Sequence, residues 1–235
     1  MKQVSMLGLI LAGFASSAVF AYDWQALPDK APEPADNPTT AEKVELGRML
    51  YFDPRFSATG TVSCNTCHNL MLGGEDNRNF SMGVHGQMGG RSAPTVWNAA
   101  FASTQFWDGR AATLEEQAKQ PFLNPVEMAN PSPAAVVAKV REAEYADHLR
   151  ELFGDAVFND DAKFYDAIAT AIAAFERTDA VSPFTSKYDY FLAGKAELTA
   201  KEKHGLELFE RLSRRLPQAR VGVAALHREQ VGLRF

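Results

Sequence analysis

The feature that most constrains this chain is the segment SCNTCH at residues 63–68, which holds both cysteines of the 235 residues. Two thiols separated by two residues and followed at once by an imidazole form the C-x-x-C-H pattern of covalent c-type haem attachment. The thiols can add to the two vinyl groups on one edge of a porphyrin, and the adjoining imidazole then reaches the iron as proximal ligand. The sequence therefore predicts one haem c, held by Cys64, Cys67 and His68, and a fold that encloses it.

Other uses of this motif fit the chain less well. A thiol–disulfide exchange site would stand beside a βαβ pattern, and none is visible. A structural zinc site needs about four ligands, and no second Cys/His pair stands at zinc spacing. A simple disulfide between Cys64 and Cys67 stays open as an alternative, although it leaves His68 without a role.

The first 21 residues have the pattern of a secretory signal peptide. A lysine stands near the start, an apolar run covers about 6–20, and Val19 and Ala21 occupy the small-residue positions of a cleavage site. The apolar run is short for a membrane span, and an uncleaved anchor is the alternative. We therefore expect export to the periplasm, which suits haem attachment outside the cytoplasm.

Charge is distributed unevenly along the chain, although the formal net charge is only −5. Residues 211–235 hold six arginines and one acidic residue, Glu229, so residues 1–210 are strongly acidic. An acidic body does not suit a nucleic-acid binder, and we expect no nucleic-acid partner. The overall composition, 46% hydrophobic and 23% charged, is that of an ordinary globular protein.

Apolar periodicity and capping residues predict an all-α fold without strands. Helix starts are predicted by capping boxes at Thr39–Glu42, Thr113–Glu116 and Thr199–Glu202 and by Ser132–Pro133. The first helix should stop before Pro54, the helix from Ser132 should end near Gly154, and an amphipathic helix should cover about 160–178. Between 55 and 125 the chain is mostly irregular, and a long irregular stretch in a compact domain is expected to wrap something.

The sixth iron position decides between electron transfer and chemistry on a bound ligand. Candidate ligands downstream of the motif are His85 and the methionines Met71, Met82, Met88 and Met128. His85 lies in the glycine-dense segment 83–90, which could swing the imidazole onto or off the iron. The alternative is a solvent-exposed loop histidine, and the methionines can equally be core or loop fillers.

Five sequence blocks, in order, resemble the N-terminal haem domain of the bacterial dihaem cytochrome c peroxidases. They are CNTCHN, GVHGQMGGRSAPTVWNAAF, QFWDGR, LEEQA and NPVEM, and the resemblance covers roughly residues 39–210. It implies a cytochrome c-like peroxidatic haem domain over 22–160, followed by the opening helices of a second cytochrome c-like domain over 161–210. In this family a C-terminal haem takes electrons from a small donor, a cytochrome c or cupredoxin, and the N-terminal haem reduces hydrogen peroxide to water.

The resemblance also implies a role for individual residues. His68 would be the proximal ligand and His85 a distal ligand that leaves on activation. Glu127 would act as acid–base group, Gln117 would orient peroxide, and Trp107 would carry electrons between the two haems. Without the resemblance, Glu127 is interpreted as a surface carboxylate and Trp107 as a core aromatic. A homodimer is a further expectation.

The chain departs from the family pattern after the block LTAKEKHGLELFE, because no second C-x-x-C-H follows. The arginine-rich composition of 211–235 suggests a change of reading frame that has truncated the second haem domain. A natural basic amphipathic tail is the alternative. The calcium ion that the family holds between its domains also loses support, since Ser92 stands where an asparagine ligand is expected.

Three functional hypotheses result. The first is a periplasmic dihaem-class peroxidase, present here in a truncated or frameshifted form that holds one haem. The second is a monohaem electron-transfer cytochrome c, with His and Met or two His on the iron. The third is an inactive fragment in which the helices around Phe164–Phe175 and Leu206–Phe209 expose apolar faces and cause aggregation.

Overall fold

The structure is a computed structural model that describes residues 26–215. The predicted signal peptide at 1–21 and residues 216–235 of the predicted tail at 211–235 lie outside the described residues. No helix within the described part of the chain is long and apolar enough to cross a membrane.

Helices and irregular segments make up the whole of 26–215, apart from two isolated β-bridges, Met82–Met88 and Gln105–Ala111. The α-helices are α1 (Ala41–Phe52), α2 (Cys64–Cys67), α3 (Leu114–Leu123), α4 (Pro133–Arg141), α5 (Ala146–Phe153), α6 (Asp155–Phe158), α7 (Asp161–Glu176), α8 (Lys187–Leu192) and α9 (Ala200–Arg215). Short 3₁₀ turns lie at Pro54–Phe56, Leu70–Leu72, Val84–Gly86 and Ala99–Phe101. The predicted all-α fold class is confirmed over these residues.

Three of the four predicted helix starts are confirmed and one is displaced. The Ser132 hydroxyl caps α4 by accepting from the Ala135 N–H at 3.2 Å. The Thr113 hydroxyl accepts from the backbone N–H of Glu116 at 3.1 Å, and Thr199 caps α9 in the same way. The prediction of Thr39 as first cap is wrong, because α1 begins after Thr40, whose hydroxyl accepts from the Lys43 N–H at 3.4 Å. The N–H of Thr39 instead donates to the Glu33 carboxylate at 2.6 Å, which holds Thr39 in the irregular segment before the helix.

The single helix predicted from Ser132 to near Gly154 is wrong, since α4 ends at Arg141 and α5 begins at Ala146. Between them the chain makes a tight turn that brings the Tyr145 ring inward. Its hydroxyl donates to the Asp53 carboxylate at 3.0 Å, and its ring packs edge-on against Phe56. This tertiary contact accounts for the break between α4 and α5. Residues 141–146 contain no glycine or proline that would predict it.

The core is built around α7, which packs against α1, α3 and α4. The closest approach to α1 is at Gly47, where a Cβ, if one were present, would lie only 1.9 Å from the carbonyl oxygen of Ala171. The exposed apolar face that the inactive-fragment hypothesis gives to α7 is wrong: Phe164, Ile168 and the neighbouring apolar residues are buried because partner helices surround them. The helix that begins at the predicted domain boundary thus shares one core with α1, and the boundary itself stays a prediction.

Candidate haem-binding site

A cavity of about 380 Å³ opens between the irregular segments that join α1 to α3 and the inner sides of α3 and α7. Six of the seven site residues predicted from the sequence line it: Cys64, Cys67, His68, Trp107, Gln117 and Glu127. Its volume lies within the range of small-molecule and cofactor pockets. The long irregular stretch therefore does surround a cavity, as its length led us to expect.

The helix α2 is a single turn that points both thiols at this cavity. Ser63 caps it, with its backbone N–H donating to the Thr66 hydroxyl at 2.9 Å. The Tyr51 hydroxyl, fully buried in the core, donates to the His68 carbonyl at 2.6 Å and ties the end of α2 to α1. Both cysteines are free thiols, so neither is engaged in a disulfide.

His68 is oriented as an iron ligand would be. Its Nδ1 lies 2.9 Å from the Pro94 carbonyl oxygen, a contact in which the ring N–H donates. Burial lowers the pKa of His68, although the contact with Pro94 acts in the opposite direction. The ring is therefore neutral at pH 7 and leaves Nε2 with its lone pair for a metal, the usual arrangement of a ligating histidine. Two thiols, this imidazole and a largely apolar lining fit a haem c.

Glu127 lies in the turn that follows α3 and is partly buried at the cavity wall. The Asn124 side-chain amide donates to its Oε1 at 2.7 Å, and its carbonyl accepts from the Val84 N–H at 2.9 Å. Burial raises the pKa of Glu127, while the Arg110 charge and the Asn124 hydrogen bond partly oppose this. The interpretation as a surface carboxylate is therefore wrong, and its raised pKa makes this carboxyl a better proton acceptor than an exposed glutamate.

His85 is the one predicted site residue that lies away from the cavity. It is exposed in the Val84–Gly86 turn, with a left-handed φ of 57°. A bridge between Met82 and Met88 closes the base of this loop, and the Gly83 N–H donates to the Gln87 carbonyl at 2.9 Å. Its role as a gated distal ligand stays a prediction.

The candidate methionine ligands separate clearly by burial. Met71, Met82 and Met88 are exposed, with Met71 at 89%. Met128 is 3% exposed, belongs to the core and also lines the cavity. Only Met128 of these four therefore combines burial with a place at the cavity.

Trp107 lies at the rim of the cavity and is 60% exposed, so its interpretation as a core aromatic is wrong. Its indole N–H donates to the Ser92 carbonyl at 3.0 Å. The loop that carries it is closed by the Gln105–Ala111 bridge, and Asp108 near its tip forms ion pairs with Arg91 and Arg110. A large, exposed indole fixed by one hydrogen bond is available to a partner group outside the cavity.

Sequence reasoning missed Glu176, the last residue of α7. Glu176 lines the cavity, is 5% exposed, and its Oε2 has no hydrogen-bond partner within residues 26–215. Burial raises its pKa to about 8. The signal was present, because this glutamate ends the apolar run AIATAIAAFE of a fully packed helix. An acidic residue in such a run calls for an explanation.

The described residues form an all-helical protein in which a C-x-x-C-H segment faces a cavity, the layout of a c-type haem protein. A sequence model described as di-haem cytochrome c peroxidase matches residues 41–197. This chain belongs to that family, which binds c-type haem.

Named relatives include both peroxidases and MauG proteins. The cytochrome c551 peroxidase of Nitrosomonas europaea is 44% identical over 209 residues, which are 88% of this chain and 59% of the relative. The methylamine utilization protein MauG of Paracoccus denitrificans is 40% identical over 196 residues, 75% of this chain and 50% of the relative. This chain thus spans between half and three-fifths of the length of these two relatives.

Solved structures support the same assignment of fold. The diheme peroxidase BthA of Burkholderia thailandensis superposes with a TM-score of 0.69 at 28% identity, covering 74% of this chain and 47% of that chain. A MauG-like protein associated with microbial copper homeostasis superposes with a TM-score of 0.67 at 34% identity, covering 81% and 55%.

Proposed function

We propose that this chain holds one haem c and reduces hydrogen peroxide to water with electrons from a small donor protein. Cys64 and Cys67 would carry the porphyrin and His68 would be the proximal ligand. The observation that carries the proposal is Glu127, a carboxyl of raised pKa at the wall of the cavity that holds the two thiols. An electron carrier has no use for a positioned acid–base group, whereas peroxide cleavage requires one.

The bound haem would supply the iron at which peroxide binds and through which electrons arrive. Reduction of one peroxide to two waters consumes two electrons and two protons. Glu127 would hold the proton that moves from one peroxide oxygen to the other, so that the second oxygen leaves as water when the O–O bond breaks. The remaining oxygen would become the second water on taking up two electrons from the donor and two protons from solvent. Asn124 keeps the carboxyl in place through its hydrogen bond to Oε1. Gln117, which lines the same cavity on α3, would orient the peroxide.

Electrons would reach the site from outside this chain's cavity. Trp107 at the rim would lie on their path, because its indole is exposed and fixed by the Ser92 carbonyl. The donor would be a small cytochrome c or cupredoxin in the periplasm. His85 would occupy the sixth iron position in a resting state and withdraw on activation.

A monohaem electron-transfer cytochrome c is the second candidate, and Met128 is the observation that favours it. Its thioether side chain is buried beside Glu127 and reaches the cavity, where a sulfur ligand would close the sixth position. A carrier closed in this way would bind neither cyanide nor peroxide after reduction.

The deciding experiment measures peroxide consumption by the purified holoprotein with a chemical reductant, in parallel with cyanide binding. We expect Glu127→Gln to keep haem content and absorption spectrum but to lose about 10²–10⁴-fold in turnover. Glu116→Gln is the control, because Glu116 is an exposed glutamate on the adjacent helix α3. Full turnover by the Glu127 variant would reject its acid–base role, and a wild-type protein that binds no cyanide would support the carrier instead.

A further inference from the structure

A second and more open hollow, of about 400 Å³, lies against the haem cavity. It is lined by Phe106, Arg110, Gln120, Leu123, Asn124 and Glu127. Four of these residues, Phe106, Arg110, Asn124 and Glu127, also line the haem cavity. The two hollows therefore share one wall, and the Glu127 carboxyl belongs to that wall.

Arg110 occupies the shared wall in a fixed position. Its Nε donates to the Gln120 side-chain oxygen at 3.0 Å, and its Nη1 donates to the Asp108 carboxylate at 2.9 Å. The guanidinium carbon lies 3.4 Å from the centre of the Phe106 ring. Contacts on three sides hold a side chain that is 43% exposed and would otherwise sample many rotamers.

The backbone beneath this guanidinium is strained. Phe106 has φ 68°, in the left-handed region that a bulky side chain rarely adopts. Residues in such conformations persist only where the surroundings enforce them, and they concentrate at functional sites. Here the strain places the Phe106 ring against Arg110, which makes a stacked pair at the boundary between the two hollows.

The chemistry of the outer hollow suits a small, uncharged, hydrogen-bonding molecule. Arg110, Gln120 and Asn124 offer polar groups, while Phe106 and Leu123 limit the width. Of the charged or titratable groups, Arg110 faces Glu127 from the 105–111 loop and Cys67 lies close to it from α2. Because Glu127 and Arg110 both line the outer hollow and the haem cavity, a molecule that enters the outer hollow meets the carboxyl beside the guanidinium.

We propose that the outer hollow is the access port through which hydrogen peroxide and other small neutral ligands reach Glu127, and that the stacked Arg110 sets the size of what passes. The nature of the substrate rests on the proposed function, but the port itself does not. Bulky alkyl hydroperoxides and large heterocyclic ligands are excluded by the Arg110–Phe106 pair.

Access is measured separately from turnover by the binding rates of two haem ligands, cyanide and the larger imidazole, to the holoprotein. All variants are made in a His85→Ala background, so that dissociation of the predicted distal ligand does not limit the rates. We expect Arg110→Ala to raise the imidazole rate about tenfold or more and the cyanide rate much less, because size discrimination is lost. Arg48→Ala is the matched control, because Arg48 is an exposed arginine on α1 that pairs with Glu45 and lines neither hollow.

A blocking variant tests the port in the opposite direction. Leu123 lines only the outer hollow, and Leu123→Trp should slow both ligands about tenfold while the haem spectrum stays unchanged. Unchanged rates in both Arg110→Ala and Leu123→Trp would overturn the port. If these substitutions change the ligand-binding rates but the protein shows no peroxide turnover, the port stands and the proposed function is refuted. If the protein turns over peroxide but the ligand-binding rates do not change, the proposed function stands and the port is refuted.

Discussion

Removal of the Glu115 carboxylate should destabilise the protein more than any other single surface-accessible charge change on α3. Glu115 lies against Arg177, whose side chain is only 5% exposed; Nη1 is 2.8 Å from Oε1, and Nη2 donates to Oε2 at 3.2 Å. The buried Asn37 amide also donates to Oε1 at 2.7 Å. The three side chains join the segment before α1 to α3 and to the end of α7.

The magnitude follows from the burial of the arginine. Glu115→Ala leaves a buried guanidinium without its counter-charge, which costs about 3–5 kcal/mol. We expect the lower end, about 3 kcal/mol, because the Glu115 side chain is 20% exposed and water can replace part of the loss. The Asn37 amide keeps its second acceptor, the Thr170 carbonyl, at 3.1 Å, so little is added there.

Urea unfolding of the holoprotein at pH 7 measures this loss. The control is Asp166→Ala, which breaks the exposed Lys119–Asp166 pair between the same two helices and should cost less than about 1 kcal/mol. The double change Glu115→Leu with Arg177→Met should recover most of the loss, because no charge is then left buried. A Glu115→Ala loss no larger than that of Asp166→Ala, or a double variant no better than the single one, would refute the reasoning.

The Glu115–Arg177 ion pair predicts that the stability of the folded protein depends on pH. Burial raises the pKa of Glu115, but the hydrogen bonds from Arg177 and Asn37 lower it more, so the net direction is down. The contribution of the pair is therefore present above the ordinary glutamate pKa and is lost as the pH falls through the depressed folded value.

Three further substitutions test the core and the cavity. Gly47→Ala should destabilise by at least about 1–3 kcal/mol in urea unfolding, since its Cβ would meet the Ala171 carbonyl oxygen at 1.9 Å; equal or greater stability would contradict the α1–α7 packing. The wild type should lose stability, at most about 5 kcal/mol, as the pH rises from the ordinary glutamate pKa of 4.5 to the folded value of about 8. Glu176→Gln should remove this loss, and melting temperatures of the two proteins that change in parallel from pH 4 to 9 would contradict the prediction. Tyr51→Phe should cost about 1–3 kcal/mol and alter the haem absorption spectrum, because the His68 carbonyl loses its donor; an unaltered spectrum would mean that this bond does not position the ligand.

Local signals in the sequence were sufficient for most helix starts and stops. Thr113 and Thr199 cap helices by bonds within four residues, and α1 stops before Pro54, so nothing distant is needed to predict them. The choice between Thr39 and Thr40 was different. It depends on Glu33, which takes the Thr39 N–H from outside the helix and leaves Thr40 as the cap. Tandem threonines cannot be distinguished without that contact.

Burial was harder to predict than helix position, because it depends on what packs around an element. The period of α7 indicates one apolar face, yet α1, α3 and α4 cover most of its circumference. Trp107 differs from its prediction in the opposite direction: a large aromatic side chain is expected to be buried, but Trp107 is 60% exposed. Both results depend on contacts between segments far apart in sequence, which periodicity does not encode.

The cavity likewise combines residues that a local motif predicts with residues that only distant contacts bring together. The C-x-x-C-H spacing alone predicts that Cys64, Cys67 and His68 act together, and one helical turn brings them to one wall. Glu127 and Gln117 came only from the family resemblance, because an isolated Glu or Gln has no motif of its own. Pro94, whose carbonyl orients His68 from 26 positions away, had no local signal at all.

Two carboxyls of raised pKa line the cavity, and their surroundings assign them different tasks. Glu176 lies on the Cys64 side, and burial raises its pKa to about 8 although the Arg177 charge opposes this, so at neutral pH it is held mostly protonated. Its Oε2 has no hydrogen-bond partner among the described residues. Glu127 lies on the Cys67 side, where burial raises its pKa while Arg110 and Asn124 partly oppose this, and it also lines the more open outer hollow. A group that must exchange a proton in every turnover needs both an accessible ionised form and a path to water. Of the two carboxyls, Glu127 alone lines the outer hollow, and on this ground we assign it the proton exchange. We expect loss of turnover in Glu127→Gln but a shift in the pH dependence of stability in Glu176→Gln; peroxide turnover that followed Glu176 instead would reverse this assignment.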